Sequence, residues 1–239
     1  MLRTLLGQPP RTPEGRTART IKAMEHFIAQ LIQQREAAAH DYEVAKKLRT
    51  YEIWTLGLVA SLDELEESRF ASHYFASRID AEYLSEMNEA ELLDYARYVY
   101  FDKNAFIRIF SLLDKLGTLL NDLLALRTER MKRQFSYFTV VRRMSGEPAH
   151  QALWKRLEAV KEQHREPISR LRKRRNTEIH FMNSEMHDDL LHLNAGLEEE
   201  ARLEDIRAQL ATLDRGCEMV KDSLRLAFEY AVDRMREAR

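Results

Sequence analysis

The sequence has few of the residues that cross-link a chain or interrupt its regular secondary structure. Its 239 residues include one cysteine, so no disulfide can form within the chain, and a reducing compartment is expected. Seven Gly and five Pro leave few breaks in regular structure. The apolar run at the N-terminus is too short for a signal peptide, and charges interrupt the longest one, residues 105–126. We therefore expect a cytoplasmic protein without a membrane span.

The composition that remains is typical of a helical protein. Leu, Ala, Glu and Arg recur throughout, 32% of residues are charged, and β-branched runs are nearly absent. The predicted fold class is therefore all-α, an up-and-down helical bundle. Pro9, Pro10 and Pro13 indicate an irregular start to the chain. The predicted divisions are a flexible arm at residues 1–16, an N-terminal helical extension at 17–87, and a bundle at 88–239 that packs with the extension as one unit.

Local signals mark a long central helix. Asn88, with Glu91 three residues later, has the pattern of a capping box at a helix start. The helix that follows is apolar nearly all round, which is typical of the middle of a bundle. Asp114 and Lys115 interrupt it, and we expect each to find a partner or to reach the rim. Residues 135–141 are compatible with an extended segment or with a helix.

The C-terminal helix carries the clearest periodic pattern in the chain. Its apolar residues recur three and four positions apart, as in a coiled-coil seam. They are Leu203, Ile206, Leu210, Leu213, Cys217, Val220, Leu224, Ala227 and Ala231. Such a seam either packs inside the bundle or forms a dimer, and the pattern alone leaves both open. Cys217 lies on it, so we interpret this thiol as an inert core group.

One segment indicates chemistry rather than packing. Arg175, Asn176 and His180 lie within about a turn and a half of a predicted helix that Pro167 begins. Histidine exchanges protons near neutral pH, and arginine binds phosphate oxygens and developing negative charge. Asparagine can orient either group. This set suits RNA cleavage by attack of the 2′-hydroxyl on the adjacent phosphate, which requires no metal and no cofactor.

The surrounding charges favour RNA as the partner. The net charge of −1 conceals separate acidic and basic stretches, so one face of the protein can still bind a polyanion. Arg170, Arg172, Lys173 and Arg174 are predicted to form a phosphate-binding ridge. The chemistry needs two proton-transfer groups, whereas the strip supplies one histidine. We therefore predict a symmetric homodimer in which two strips face each other.

The stretch from Arg175 to His180 resembles the R-x4-6-H motif of the HEPN superfamily (higher eukaryotes and prokaryotes nucleotide-binding). The central helix around residues 110–121 also resembles a helix of its larger prokaryotic branch. The resemblance implies a HEPN-like bundle that dimerises with its motifs at the interface. It implies Arg175 and His180 as the catalytic pair and Asn176 as the polar position beside the arginine. Many members are metal-independent ribonucleases of toxin–antitoxin or phage-defence systems, which implies a possible antitoxin partner.

The motif spacing is not unique in this chain. Three other pairs share it, namely Arg19 with His26, Arg35 with His40, and Arg143 with His150. The asparagine and the basic run favour the strip that ends at His180. Glu185, His187, Asp188 and His192 could suggest a metal site with His180, but no two of these histidines are four residues apart, as the histidines of a His-Glu-x-x-His helix are. We therefore predict no metal site.

Two alternatives to an enzyme remain. One is a non-catalytic HEPN scaffold that binds RNA or nucleotides through the same basic strip. The other is a helical adaptor that acts through the seam of its C-terminal helix.

Overall fold

The computed structural model describes residues 2–83, 86–181 and 205–237. Most of these residues are helical, and none of those described forms a β-strand. The α-helices are α1 (Leu2–Leu5), α2 (Gly15–Ala37), α3 (Tyr42–Ala76), α4 (Glu89–Leu123), α5 (Tyr137–Met144), α6 (Gln151–Gln163), α7 (Arg165–His180) and α8 (Ile206–Glu237). The prediction of an all-α helical bundle is confirmed.

The chain divides into two compact units, neither of which is continuous in sequence. The first unit comprises residues 1–10, 64–109 and 164–217, and the second comprises 11–63, 110–163 and 218–239. Each unit combines segments from the predicted extension and from the predicted bundle. The division into 17–87 and 88–239 therefore stays a prediction.

The core of the first unit joins α3, α4 and the start of α8. Phe75 stacks on Phe101 with ring centroids 5.7 Å apart, and Tyr98 packs beside them. The Tyr98 hydroxyl donates a hydrogen bond to Oε1 of Gln209 at 3.0 Å, so the buried phenol is satisfied. Leu210 of α8 completes the cluster.

Leu2, Arg3 and Leu6, within the predicted arm of residues 1–16, contact residues of this unit. The Leu2 backbone N–H donates to Glu67, and Leu2 and Leu6 contact the apolar cluster. The Arg3 guanidinium lies 3.7 Å from the centroid of the Phe70 ring. Apolar burial and this cation–π contact stabilise the segment that precedes the prolines.

Two sequence signals in α4 are confirmed. The Asn88 side chain accepts hydrogen bonds from the backbone N–H groups of Ala90 and Glu91, and Glu91 accepts one from the Asn88 N–H, which is a capping box. In the second unit, Asp114 accepts a hydrogen bond from the Tyr137 N–H at 3.0 Å. Lys115 donates to the Ser61 hydroxyl at 2.7 Å. Both charges inside the apolar run therefore have partners.

The seam of α8 packs within the chain. Its members from Leu210 onward are all buried, at most 9% exposed. In the second unit, the α8 ring of Phe228 packs against Phe27 of α2 with centroids 5.2 Å apart. The adaptor hypothesis requires this seam to be exposed, so burial contradicts it. A three-and-four spacing arises in any helix that turns one stripe towards a core, whether the core lies in one chain or between two.

Candidate ribonuclease strip

The predicted strip occupies α7 in the first unit. Ile168 and Leu171 are buried on its inner face. Gly216 of α8 lies against them, because a Cβ at this position would approach within 2.5 Å of Leu171 Cδ1 and 2.8 Å of Ile109 Cδ1. The missing side chain lets α8 come close to α7 and α4. Glycine is usually unfavourable inside a helix, so the sequence alone gives no signal of this packing role.

Two ion pairs hold the inner face of α7 to α4. Arg174 donates to Oδ2 of Asp102 at 2.7 Å, and its guanidinium lies 4.9 Å from the centroid of the Phe106 ring. One turn later, Glu178 pairs with Lys103 at 3.1 Å. Arg174 and Glu178 are four residues apart and so share one face of the helix. These contacts decide which side of α7 faces outwards.

Asp102 is the most deeply buried charge of this contact. The residue is 1% exposed, and no described residue donates a hydrogen bond to its Oδ1. Burial raises the pKa of the Asp102 carboxyl above its usual value, and the Arg174 guanidinium opposes that rise. Removal of either residue of this pair is therefore expected to destabilise the fold strongly.

Asn176 and His180 lie on the outer face of α7. They are one turn apart, Asn176 is half-buried and His180 is exposed. Among the described residues, none forms a hydrogen bond or an ion pair with the His180 ring. An exposed imidazole can exchange protons with a bound ligand near neutral pH.

Arg175 points in a different direction from His180. At about 100° per residue, five residues separate the two side chains by about 140° around the helix axis. Arg175 is half-buried on the flank of the inner face and already interacts with the chain. The structure therefore brings Asn176 and His180 together, whereas Arg175 reaches their side only through its long stem.

The basic run is divided by the same periodicity. Arg172 and Lys173 are exposed. Arg170 pairs with Glu166 one turn earlier, and both side chains are more than half exposed. Arg174 turns inwards to Asp102. Three of the four predicted phosphate-binding residues therefore lie on the surface, and the fourth, Arg174, forms an ion pair with a buried carboxylate.

The other matches to the motif spacing lie in the second unit, where at least one residue of each pair contacts another side chain. Their contacts are Arg35 with Glu52 at 2.6 Å, Arg143 with Glu147 at 2.5 Å, His150 with Tyr230 at 2.8 Å, and His26 with Arg236 at 3.1 Å. Burial lowers the pKa of His150, and the nearby Arg234 lowers it further. These contacts indicate structural roles, which favours the strip on α7.

The remaining candidates add no second site to the described part of the chain. Glu185, His187, Asp188 and His192 lie outside the described residues, and those described contain no cluster of three potential metal ligands. Cys217 is fully buried, as expected for a core thiol. None of the described helices combines the length and the apolar character that a membrane crossing requires.

Asp102 and Lys103 are the residues near the strip that sequence reasoning missed. Their signal was two adjacent opposite charges in an otherwise apolar helix, the same anomaly that was noticed at Asp114 and Lys115.

A family model supports the interpretation that the motif suggested. The model of the Cthe2314-like HEPN family matches residues 54–232, about three quarters of the chain. No curated protein and no solved structure shows significant similarity to the chain. The matched region includes the whole of α7 and the ion pairs beneath it. The chain therefore belongs to the HEPN superfamily.

Proposed function

We propose that the protein is a metal-independent endoribonuclease that cleaves RNA by attack of a 2′-hydroxyl on the adjacent phosphate. The observation that carries the proposal is the outer face of α7, where Asn176 and His180 are presented together. Membership of the HEPN superfamily supports the same reaction. The buried contacts of α7 are made by other residues, among them Ile168, Leu171 and Arg174.

Each polar residue of the strip has a role in this proposal. His180 transfers a proton to or from the reacting oxygens. Arg175 stabilises the negative charge of the phosphorane, and Asn176 orients the phosphate or the histidine. Arg170, Arg172 and Lys173 bind flanking phosphates of the RNA. Arg174 donates one hydrogen bond to the buried Asp102, and this ion pair offsets its charge, so we assign it no direct contact with the RNA.

The proposal includes a homodimer. One chain supplies one histidine to the strip, and the reaction moves two protons, one at each oxygen of the scissile phosphate. The wide angle between Arg175 and His180 also favours a site built from two chains, in which each phosphate meets groups from both copies. Ile179 and Phe181 flank His180 and are 49% and 80% exposed, which offers apolar surface to a second copy.

The family resemblance extends the proposal to biology. We infer a role as a toxin or phage-defence effector, with an antitoxin protein as a possible partner. A non-catalytic RNA-binding scaffold is the other candidate function, since the exposed cations of α7 would bind RNA without cleaving it.

Cleavage of RNA by the purified protein in chelator tests the proposed activity. His180→Ala and Arg175→Ala are each expected to lower the cleavage rate by about 100-fold or more, because each removes a group that acts in the transition state. His26→Ala is the matched control, since His26 is an exposed helical histidine of the second unit, and it should retain the wild-type rate. Cleavage that survives both strip substitutions would refute the site. Salt-sensitive binding without cleavage would identify a scaffold.

Mixing the wild type with His180→Ala tests the composite site. If cleavage needs both histidines of a dimer, mixed dimers are inactive, and activity follows the square of the wild-type fraction. An equal mixture with free subunit exchange should then keep about a quarter of the activity of wild type at the same total concentration. Independent sites predict a linear decrease, to about a half, and that outcome would contradict the composite mechanism.

A further inference from the structure

Two adjacent residues of α4 contact two residues of α7 in an alternating pattern of charge. Asp102 binds Arg174 at 2.7 Å, and Lys103 binds Glu178 at 3.1 Å. All four side chains are less than one-fifth exposed. We call this set the α4–α7 charge clamp. In the first pair the acidic residue lies on α4 and the basic residue on α7. In the second pair the basic residue lies on α4 and the acidic residue on α7.

The alternating charges favour the observed register of α7 over the registers that are shifted by one turn in either direction. A slide of α7 by one turn that brought Glu178 to Asp102 would place two carboxylates together. The opposite slide would bring Arg174 to Lys103 and place two cations together. Both contacts are largely buried, where like charges repel more strongly than they do in water. A rotation of α7 would instead separate both pairs and leave buried charges uncompensated.

The clamp lies directly beneath the proposed site. Arg174 and Glu178 bracket Arg175 and Asn176, and Glu178 is two residues before His180. Because a helix turns as a rigid unit, the direction of its inner face determines the direction of its outer face. Glu178 is also held by Lys103 on the inner face, so we do not assign it a role in proton transfer.

We propose that Asp102 and Lys103 are positioning residues, whose ion pairs fix the rotation and register of α7 and so direct Asn176 and His180 to the RNA. The inference rests on the proposed ribonuclease function. Neither residue touches the RNA in this arrangement. Their effect on catalysis passes through the backbone of α7, where a displacement of about 1 Å can reduce a rate by about 100-fold.

A charge exchange tests the proposal. Lys103→Glu and Glu178→Lys each create a like-charge pair and are expected to lower kcat at least tenfold, with little change in KM. The double variant restores an ion pair with reversed direction and should recover kcat to within about threefold of wild type. Glu166→Lys is the matched control, because it makes the same charge change at an exposed position of the same helix, and its kcat should be unchanged.

A spectroscopic readout separates this inference from the proposed activity. The His180 ring signals can be assigned in an NMR spectrum by their absence from the His180→Ala protein. They should shift in each single variant and return in the double variant, whether or not RNA is cleaved. If the wild type does not cleave RNA but the signals follow this pattern, the proposed function fails and the positioning role stands.

Two results would overturn the positioning role. One is a double variant that is no better than the single variants in both kcat and the His180 signals. The other is a pair of single variants that match the wild type in both. Lys103→Met keeps the aliphatic stem and removes only the charge, so it serves in place of Lys103→Glu if that variant does not fold, with the same expected direction.

Discussion

Replacing Arg174 with methionine is expected to lower the free energy of unfolding by about 3–5 kcal/mol near neutral pH. The substitution keeps most of the side-chain volume but leaves the Asp102 carboxylate without its partner at 1% exposure. An uncompensated charge in the protein interior is far more costly than the loss of a surface ion pair. The contact of the guanidinium with the Phe106 ring is lost as well.

The deficit should depend on pH. Burial makes the pKa of Asp102 higher in the folded chain than in the unfolded chain, where it is about 3.9. Such a carboxyl contributes stability that is fully present below the unfolded pKa and is lost as the pH rises through the folded pKa. Without Arg174 the folded pKa rises further. The deficit of Arg174→Met relative to wild type should therefore be largest near pH 7 and should shrink as the pH falls towards 4.

Urea unfolding followed by circular dichroism, near pH 7 and near pH 5, measures both effects. Arg170→Met is the control on the same helix, since its ion pair with Glu166 is exposed, and it should change stability by less than about 0.5 kcal/mol. Combining Arg174→Met with Asp102→Leu should recover most of the loss, because the pair is then replaced by apolar groups. A deficit equal to that of Arg170→Met would show that the pair is not buried in solution.

Replacing Gly117 with alanine is expected to lower the free energy of unfolding by about 1–3 kcal/mol. An added Cβ on α4 would lie 2.8 Å from the Tyr137 Cα and 3.1 Å from its backbone nitrogen. Backbone atoms cannot move aside as the tip of a side chain can. The start of α5 is also fixed by the hydrogen bond from the Tyr137 N–H to Asp114 and by that from the Tyr137 hydroxyl to Ser223. The strain should exceed the gain of about 1 kcal/mol that alanine has over glycine in a helix.

Gly57→Ala is the matched control for this prediction. Gly57 lies within α3, and a Cβ there would meet no heavy atom within 4 Å. The same substitution should therefore stabilise the protein by about 0.5–1 kcal/mol through helix propensity alone. Thermal and urea unfolding of the two variants should give changes of opposite sign. If both variants are stabilised, α5 does not approach α4 as closely as the structure indicates.

The parts of the fold that were predictable have signals contained within one helix. The capping box at Asn88 and the three-and-four seam of α8 are local patterns, and both are confirmed. Residues 135–141 have no decisive local pattern, because their β-branched and aromatic residues favour a strand while the structure forms α5. Burial of Tyr137 against its partners favours the helix. Those partners are distant in the sequence, so a local sequence pattern cannot indicate them.

The site, too, was predictable only where its signal lies within one helix. The motif and its asparagine indicated the superfamily, which the family model confirms, whereas cleavage of RNA stays a prediction. The direction of each cation in the basic run was not predictable. It depends on Asp102, which precedes Arg174 by 72 residues in the sequence. The approach of α8 at Gly216 depends likewise on three helices at once.

The inward turn of Arg174 has a consequence for ionic strength. The logarithm of RNA affinity falls with the logarithm of salt concentration by about 0.7 for each phosphate that a protein neutralises on a single strand. Four consecutive cations, from Arg172 to Arg175, would suggest a steep dependence. Arg174 is neutralised within the chain, so it releases no counterion from the RNA. The proposed affinity of this surface for RNA should therefore fall less steeply with added salt than its sequence implies, and a larger share of that affinity should persist at physiological ionic strength.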